Sequence, residues 1–540
     1  MSKAPDIQVL TTQQLDELLA RVKPQIQAED FKLIEGVIRS FKWILEILSQ
    51  SNLTLKRLRR WLFGAQTEKT NQVLPVLPPG SAQGSDTSPA SPKEPAAGQS
   101  TAPGKRKGHG RRGVKDYPGA KHIHVAHHQH QVGDLCDLCN QGRLYALPDP
   151  APLIHIVARP PFSATVYDLE KLRCSGCGAL FTAKPPPEAE TQKYDPNVGC
   201  MVGLLCYGSG LPLHCLEQLQ QGMGVPMPAA TQWELVQAAA QDFEPVFEQL
   251  KQEAAGGEVL HNDDTGRKVL SLLKVIAKEQ EVDSTQRTGI FTSCIVALAG
   301  DHQIALYFTG RKHAGENLND LLRLRDPALP EPIQMCDGLS RNLPKEFKTV
   351  LANCLTHARR EYVDVVDNFP QECRVVLEYL REVYANDAEC KNTKLSPEAR
   401  LALHQEKSKP VMDKLHEWME AQLHNKLVEP NSGLGKAINY MLKRWEALTL
   451  FLRKTGAPLD NNICERGIKK AIRHRKNSLF FKTTIGAQVG DLFISLIHTC
   501  ELNAVNPFDY LTTLRRNFRQ VKEKPHLWLP WNFLKASDTS

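Results

Sequence analysis

Three carboxylates stand where alternating strands and helices can bring them to one point. Asp263 ends the apparent strand GEVLHND, and Asp337 ends the apparent strand PIQMCD, ahead of Gly338. Glu465 lies in LDNNICERGIKKAIRHRKNSLFF, a helix entered through the Asn461/Asn462 turn. Clustered carboxylates repel one another unless cations neutralise them, and hard oxygen ligands of this kind suit Mg²⁺ or Mn²⁺. Two such ions about 3.5–4 Å apart clamp the attacking and leaving oxygens of a phosphodiester. Two other acids compete for these positions. Asp264 adjoins Asp263, but neighbours on a strand point to opposite faces, so only one of them faces the site. Glu501, in HTCELN, sits on a later helical run with apolar surroundings and no flanking cations, and Glu465 is preferred.

The third acid adjoins a basic surface. From Arg466 to Lys482 there are seven Lys/Arg (Arg466, Lys469, Lys470, Arg473, Arg475, Lys476 and Lys482) and no acid. The stretch CLTHARR adds His357, Arg359 and Arg360 shortly after Asp337. Phosphate-binding charge beside metal-binding charge fits a nucleic-acid substrate. Taken singly, each of these groups reads as a solvated helix face; their joint context makes the site.

A second metal-binding pattern lies upstream. Cys136-x-x-Cys139 and Cys174-x-x-Cys177 are separated by 34 residues, each in a tight knuckle, CDLCNQG and CSGCGAL. Two such pairs complete a tetrahedral Cys₄ shell around one Zn²⁺, a closed site and hence a structural one. The strand-like segment between them suits a zinc ribbon. The alternative is a pair of reduced redox motifs. His122, His124, His127, His128 and His130 crowd just upstream and read as a solvated loop.

These groups must be positioned by several domains. A chain of 540 residues suggests about three or four. Hydrophobic residues make up 41% and charged residues 24%, with a net charge of +7, as in an ordinary globular protein. No apolar run reaches the roughly 18 residues that span a bilayer, and the N-terminus has no secretory h-region, so a cytoplasmic setting is expected. There, fourteen cysteines do not read as disulfides. In residues 1–70, Ile34, Val37, Phe41, Ile44, Leu48, Ser51, Leu55, Leu58 and Leu62 follow a heptad seam, the mark of a coiled coil. A long amphipathic helix lying on its own core is the alternative. Residues 71–120 are a Pro/Gly/Ser-rich linker with a basic end, either tracking phosphates or solubilising the chain. Residues 121–189 hold the zinc module. Residues 190–256 read as helical, either a DNA-binding helix-turn-helix or two packed core helices. Short apolar runs from 257 (EVLHNDDT, GIFTSCIVALAG, HQIALYFTG, PIQMCDG, VLANCLTH) read as strands. Residues 358–455 are helical, and 456–520 return to mixed apolar and basic helices before a tail, 521–540.

The sequence resembles the transposases of insertion sequence 66, over nearly the whole chain. The resemblance is carried by LKRLRRWLFGAQTEK, the cysteine knuckles, VLHNDDTGRKVL, QMCDGLSRN, CLTHARREYVD, LDNNICERGIKKAIRHRKNSLFF and ISLIHTCELNAVNPFDYL. It implies a DDE-class enzyme whose ribonuclease-H-like core, 257–357 and 456–520, is interrupted by the all-helical insertion 358–455. It implies that the triad is Asp263, Asp337 and Glu465. Departures are Asp264, where the family often has Glu, and Leu339, where it often has Tyr. The expected function is metal-dependent cleavage and strand transfer at the ends of an element. The expected partners are double-stranded DNA, a second copy of the chain or a higher oligomer, and small accessory proteins encoded alongside, in a nucleoid-associated setting. Two other readings are a zinc-containing DNA-binding regulator with an inactive core and a nuclease that cuts without joining.

Overall fold

The computed structural model describes residues 192–538 without a break and, ahead of them, separate residues and short stretches between 21 and 187. It divides into two compact units, Pro78–Ala183 and the remainder, Met1–Leu77 with Lys184–Ser540. Of the expected seam, Ile34 is described and helical, while Val37, Phe41–Leu62 and the whole linker 71–120 lie outside the described residues. No helix among the described residues is long and apolar enough to cross a membrane.

The smaller unit contains two tight reversals. Leu135 bridges Arg143 across the first cysteine pair, and the Cys136 N–H donates to the Gly142 carbonyl at 2.8 Å. Around the second pair, β1 (Lys171–Arg173) runs antiparallel to β2 (Leu180–Thr182).

From residue 192 onward the larger unit runs through α1 (Asn197–Gly203), α2 (Leu213–Gly222) and α3 (Ala229–Ala255). The two-helix run expected over 190–256 is present, and its second helix is a core element. Val236, Ala239, Phe243, Val246 and Leu250 of α3 are buried at helical spacing. Five strands follow in the larger unit. They are β3 (Val259–Gly266), β4 (Phe291–Ala299), β5 (His302–Gly310), β6 (Ile333–Cys336) and β7 (Val350–Asn353). They form one sheet in the order β5-β4-β3-β6-β7. The first three are antiparallel, whereas β6 and β7 run parallel to β3 and to each other. A parallel return needs a crossover, and here α4 (Leu270–Val282), β4, β5 and α5 (Ala314–Leu322) supply it between β3 and β6. β4 is buried on both faces, hence its apolar run from Cys294 to Ala299.

After the insertion come α11 (Asn462–Ser478), α12 (Thr484–Leu502) and α13 (Pro507–Arg516), ahead of two short helices, Phe518–Glu523 and Phe533–Asp538. Helix α12 lies along the outer edge of β5. Asp491, Ser495, Thr499 and Asn503 are spaced by four and accept from the backbone N–H groups of Thr309, Tyr307, Ala305 and Gln303, spaced by two. A strand edge that would otherwise expose its donors is thus satisfied by side chains.

The insertion comprises α6 (Leu355–Val365), α7 (Pro370–Asn392), α8 (Pro397–Leu403), α9 (Lys409–His424) and α10 (Gly433–Lys443). The Ser396-Pro397-Glu398 start works as its residues dictate, with Ser396 Oγ accepting from the Ala399 N–H at 3.3 Å. Its core is not separate from the sheet. Tyr362, Leu377, Met412, Leu434, Ile438 and Met441 are buried in one cluster with Val259, Ile333 and Met335 of β3 and β6. Beyond α13, the segment expected to be a tail is packed. Val521, Trp528, Leu529 and Phe533 are buried, and the Tyr510 hydroxyl donates to the Trp528 carbonyl at 2.8 Å. These apolar residues have no regular spacing, so periodicity could not reveal their burial.

Candidate functional site

The sheet register places the two aspartates side by side. His261 pairs with Met335 in the parallel β3–β6 ladder, and Asp263 and Asp337 each stand two residues further on. Across the antiparallel ladders, Asp263 is opposite Cys294, and Cys294 is opposite Tyr307. Directly opposed residues share a face, so this row marks the face that carries Asp263. Helix α11 covers it at Gly467, whose carbonyl accepts from the Tyr307 hydroxyl at 2.9 Å. A Cβ at Gly467 would lie 2.9 Å from Cys294 Sγ, so the close approach requires glycine. Glu465 is two residues earlier, in the first turn of α11.

The N-terminus of that helix is held by Asn461. Its Oδ1 lies 3.0 Å from His261 Nδ1, its Nδ2 donates to the Asn262 carbonyl at 3.1 Å, and its N–H donates to Cys354 Sγ at 3.2 Å. One amide therefore ties β3, the start of α6 and the start of α11 together. Burial pushes His261 down to about 4, so its imidazole is neutral and donates from Nδ1. The far end of α11 is fixed by Arg267, which donates to His474 Nδ1 at 2.6 Å and stacks on Phe481 at 4.2 Å. It is also fixed by Arg475, which donates to Thr265 Oγ1 at 3.0 Å and to the Gly266 carbonyl.

The three acids feel one another. Burial pushes the Asp263 carboxyl up to about 7; the Asp264 N–H opposes this, and the charges of Asp337, Asp264 and Glu465 reinforce it. Asp337 Oδ1 accepts from Asn342 Nδ2 and, at 3.3 Å, from the Leu339 N–H. Glu465 Oε2 pairs with Arg360 at 3.2 Å, and its Oε1 stands 3.6 Å from His357 Nδ1. Both atoms of that last pair are buried without a hydrogen bond. The ligand atoms of Cys354, His357 and Glu465 all lie within 4.8 Å of one another. Gathered half-buried acids, with one buried carboxylate oxygen that no donor satisfies, fit a hard divalent cation.

The competing acids are engaged elsewhere. Asp264 points to the opposite face, where Oδ2 lies 2.8 Å from His313 Nδ1 at the start of α5 and Oδ1 lies 3.6 Å from Arg341. Glu501 is in an ion pair with Lys470. Of the basic residues expected to meet phosphates, Arg466, Lys469, Arg473 and Lys476 are exposed along one side of α11. Lys470 and Arg475 are taken up by Glu501 and by β3. His357 and Arg360 stand beside Glu465, and Arg359 is half-buried on the same helix.

Sequence reasoning passed over Asn342 and Arg444 and read Asn461 only as a turn. No spacing rule marks them: Arg444 and Asn461 act across long chain separations, and Asn342 reaches Asp337 from a short turn five residues on. In the smaller unit, Cys136, Cys139 and Cys177 are free thiols, and Cys174 lies outside the described residues. The Cys139 thiol is held below its usual value, first by the Gly142 N–H and then by that of Gln141. Backbone donors aimed at a sulphur favour the thiolate that binds metal.

A family model described as "Transposase IS66 family" matches residues 194–489, more than half of the chain, with Asp263, Asp337 and Glu465 inside the match. Three proteins of Sinorhizobium fredii (strain NBRC 101917 / NGR234), each named only as uncharacterized, are similar to it. The protein y4hP is 26% identical over 427 residues, covering 74% of each chain. The protein y4jD is 27% identical over 343 residues, covering 60% of this chain and 63% of its own. The protein y4qI is 31% identical over 186 residues, 34% of each chain. With a sheet that brings Asp263, Asp337 and Glu465 together inside the matched span, the chain belongs to the IS66 family of transposases.

Proposed function

We propose that this transposase cleaves DNA at the ends of an insertion sequence and joins the freed 3′ ends to target DNA, with Asp263, Asp337 and Glu465 as its catalytic acids. The observation that carries the reading is the buried Asp263 carboxyl beside Asp337 and Glu465, next to the point where the exposed basic row of α11 begins. A sheet of three antiparallel strands extended by two parallel ones supports a ribonuclease-H-like core, interrupted by the helices of 358–455. Two divalent ions, Mg²⁺ or Mn²⁺, would supply positive charge to the attacking and leaving oxygens of a phosphodiester. The protein's own part is to hold and orient. Asn461 sets the entry of α11, Asn342 holds the Asp337 carboxylate, and Arg360 and His357 flank Glu465. Arg466, Lys469, Arg473 and Lys476 offer charge to the DNA backbone, with His357, Arg359 and Arg360 nearer the acids. A structural Zn²⁺ held by Cys136, Cys139, Cys174 and Cys177, and self-association through residues 34–62, complete the reading.

The test is to incubate the protein with DNA carrying its element ends and Mg²⁺, then to sequence the products. Joined products support the reading, and nicked DNA without joining reduces it to a nuclease. Asp337→Asn and Glu465→Gln should abolish both steps while DNA binding survives. Glu501→Gln should stay active. An active Glu465→Gln beside a dead Glu501→Gln overturns the assignment of the third acid.

A further inference from the structure

We infer that Arg444, at the end of α10, is a positioning residue for Asp337, so that the helical insertion is a working part of the catalytic centre. This rests on the reading above that Asp337 holds a divalent ion, and it adds a residue that reading does not contain.

Asp337 stands one residue beyond Cys336, the last residue of β6 in the β6–β7 ladder. Ladder hydrogen bonds therefore do not fix the Asp337–Gly338 turn, and something else must. Arg444 Nη2 donates to the Gly338 carbonyl at 3.2 Å. The guanidinium lies so close to the Gly338 α-carbon that a Cβ there would overlap Arg444 Nε and would meet Arg444 Cδ at 2.9 Å and the Tyr440 hydroxyl at 3.0 Å. Glycine at 338 is thus what allows the arginine to lie flat on the turn.

The arginine is itself fixed. Its guanidinium stacks on the Tyr440 ring at 4.1 Å, and Nη1 reaches the Tyr440 carbonyl at 3.5 Å. Helix α10 cannot drift from β6, because Ile438 and Met441 are buried in the same cluster as Ile333 and Met335. Apolar packing beneath and a planar donor above hold the turn between them. A guanidinium suits this role better than an ammonium, since it stacks and donates from one rigid plane.

The sign of the expected effect separates positioning from charge. Removing a cation near an acid cluster would by itself tighten the binding of a dication. A loss of metal affinity can therefore come only from a displaced ligand. Mn²⁺ binding to the full-length protein, followed by electron paramagnetic resonance well below the melting temperature, gives the readout. Arg444→Lys and Arg444→Met should each raise the Mn²⁺ Kd by about 10- to 100-fold, the usual loss when a group orienting a ligand is removed. On element-end DNA, kcat should fall with KM within about threefold. Gly338→Ala, which displaces the same guanidinium from the other side, should reproduce both effects, and combining it with Arg444→Met should add little. Unchanged or tighter Mn²⁺ binding in the Arg444 variants overturns the inference, as does full additivity with Gly338→Ala. A variant that fails to fold is replaced by Gly338→Ala, which tests the same contact. Asp337→Asn separates the two levels. If it binds Mn²⁺ normally, the metal reading of Asp337 has failed; if it does not while the Arg444 variants do, only this inference has.

Discussion

In the metal-free protein the acid cluster is a source of instability, and Asp263 shows how large. Burial first, and then the neighbouring acids, raise its folded-state pKa from 3.8 to about 7. At about 1.36 kcal/mol per unit, holding this carboxylate ionised in the folded chain costs about 4 kcal/mol above pH 7. The sign follows from proton binding. Between pH 3.8 and 7 the folded state retains a proton that the unfolded state has lost, so stability falls as pH rises through that window and then levels off. Asp263→Asn removes the titration while keeping an oxygen for the Asp264 N–H, which donates to Asp263 Oδ1 at 2.8 Å. The variant should therefore be more stable than the parent in buffer without divalent ions. The gain should be about 1.5 kcal/mol at pH 5 and about 4 kcal/mol at pH 8. Thermal unfolding at the two pH values measures it. A domain of 150–250 residues shifts by about 2–4 °C per kcal/mol and a larger unit by less, so several degrees are expected at pH 8. Millimolar Mg²⁺ should then stabilise the parent and not the variant. A gain equal at both pH values, or no gain at pH 8, refutes the argument that Asp263 sits ionised among like charges.

Other consequences can be checked separately. Replacing Lys469 and Arg473 with Gln should flatten the log–log salt dependence of DNA binding by about 0.9 per lost phosphate contact, whereas Lys470→Gln should leave it unchanged because Glu501 occupies that lysine. An equal effect of Lys470→Gln would place the DNA on the wrong side of α11. Elemental analysis should give about one zinc per chain, lost in Cys174→Ser, and a fully folded zinc-free protein would dismiss the Cys₄ site. Leu479, which ends α11 at φ 61° and ψ −51° with its side chain 63% exposed, is a strained position. Relief of about 1–3 kcal/mol of strain, less about 1 kcal/mol for glycine's freedom in the unfolded chain, predicts that Leu479→Gly stabilises by about 1 kcal/mol. A lower melting temperature would count against it.

The strands were legible because their apolar runs are short, bounded by turn residues and rich in β-branched side chains. The five runs named from β3 to β7 are strands, but Asp263, expected at a strand end, lies three residues before the end of β3, and Asp337 stands one residue past the end of β6. Period-two alternation also separated Asp263 from Asp264, and Asp264 Oδ2 lies 2.8 Å from His313 Nδ1. What could not be read is the set of contacts across the sheet order. Asn461 reaches back 199 residues to Asn262, and Arg444 reaches 106 residues to Gly338. Such partners follow from topology, which residue types do not encode locally. The basic helix shows the same limit. Seven like charges read as one surface, yet Lys470 and Arg475 face inward partners, since helical rotation and the neighbours of each side chain decide which of them meet solvent.

The side-chain ladder from α12 to β5 has a further consequence for how copies of this protein can assemble. Four residues of helix rise about 6.0 Å, and two residues of antiparallel strand about 6.8 Å, so each rung drifts by about 0.8 Å against the last. Over the four rungs from Asp491 to Asn503 the mismatch stays within the reach of flexible side chains, and the ladder ends where α12 ends at Leu502 and β5 begins at His302. The helix thus mimics a sixth strand only for the length of β5, but that is enough to occupy every outward-facing N–H it meets there. A second chain finds no vacant edge on that side to extend the sheet. Any pairing between copies of this chain is thereby steered away from β5, and this edge stays closed to the fibrous pairing that an open β-edge invites.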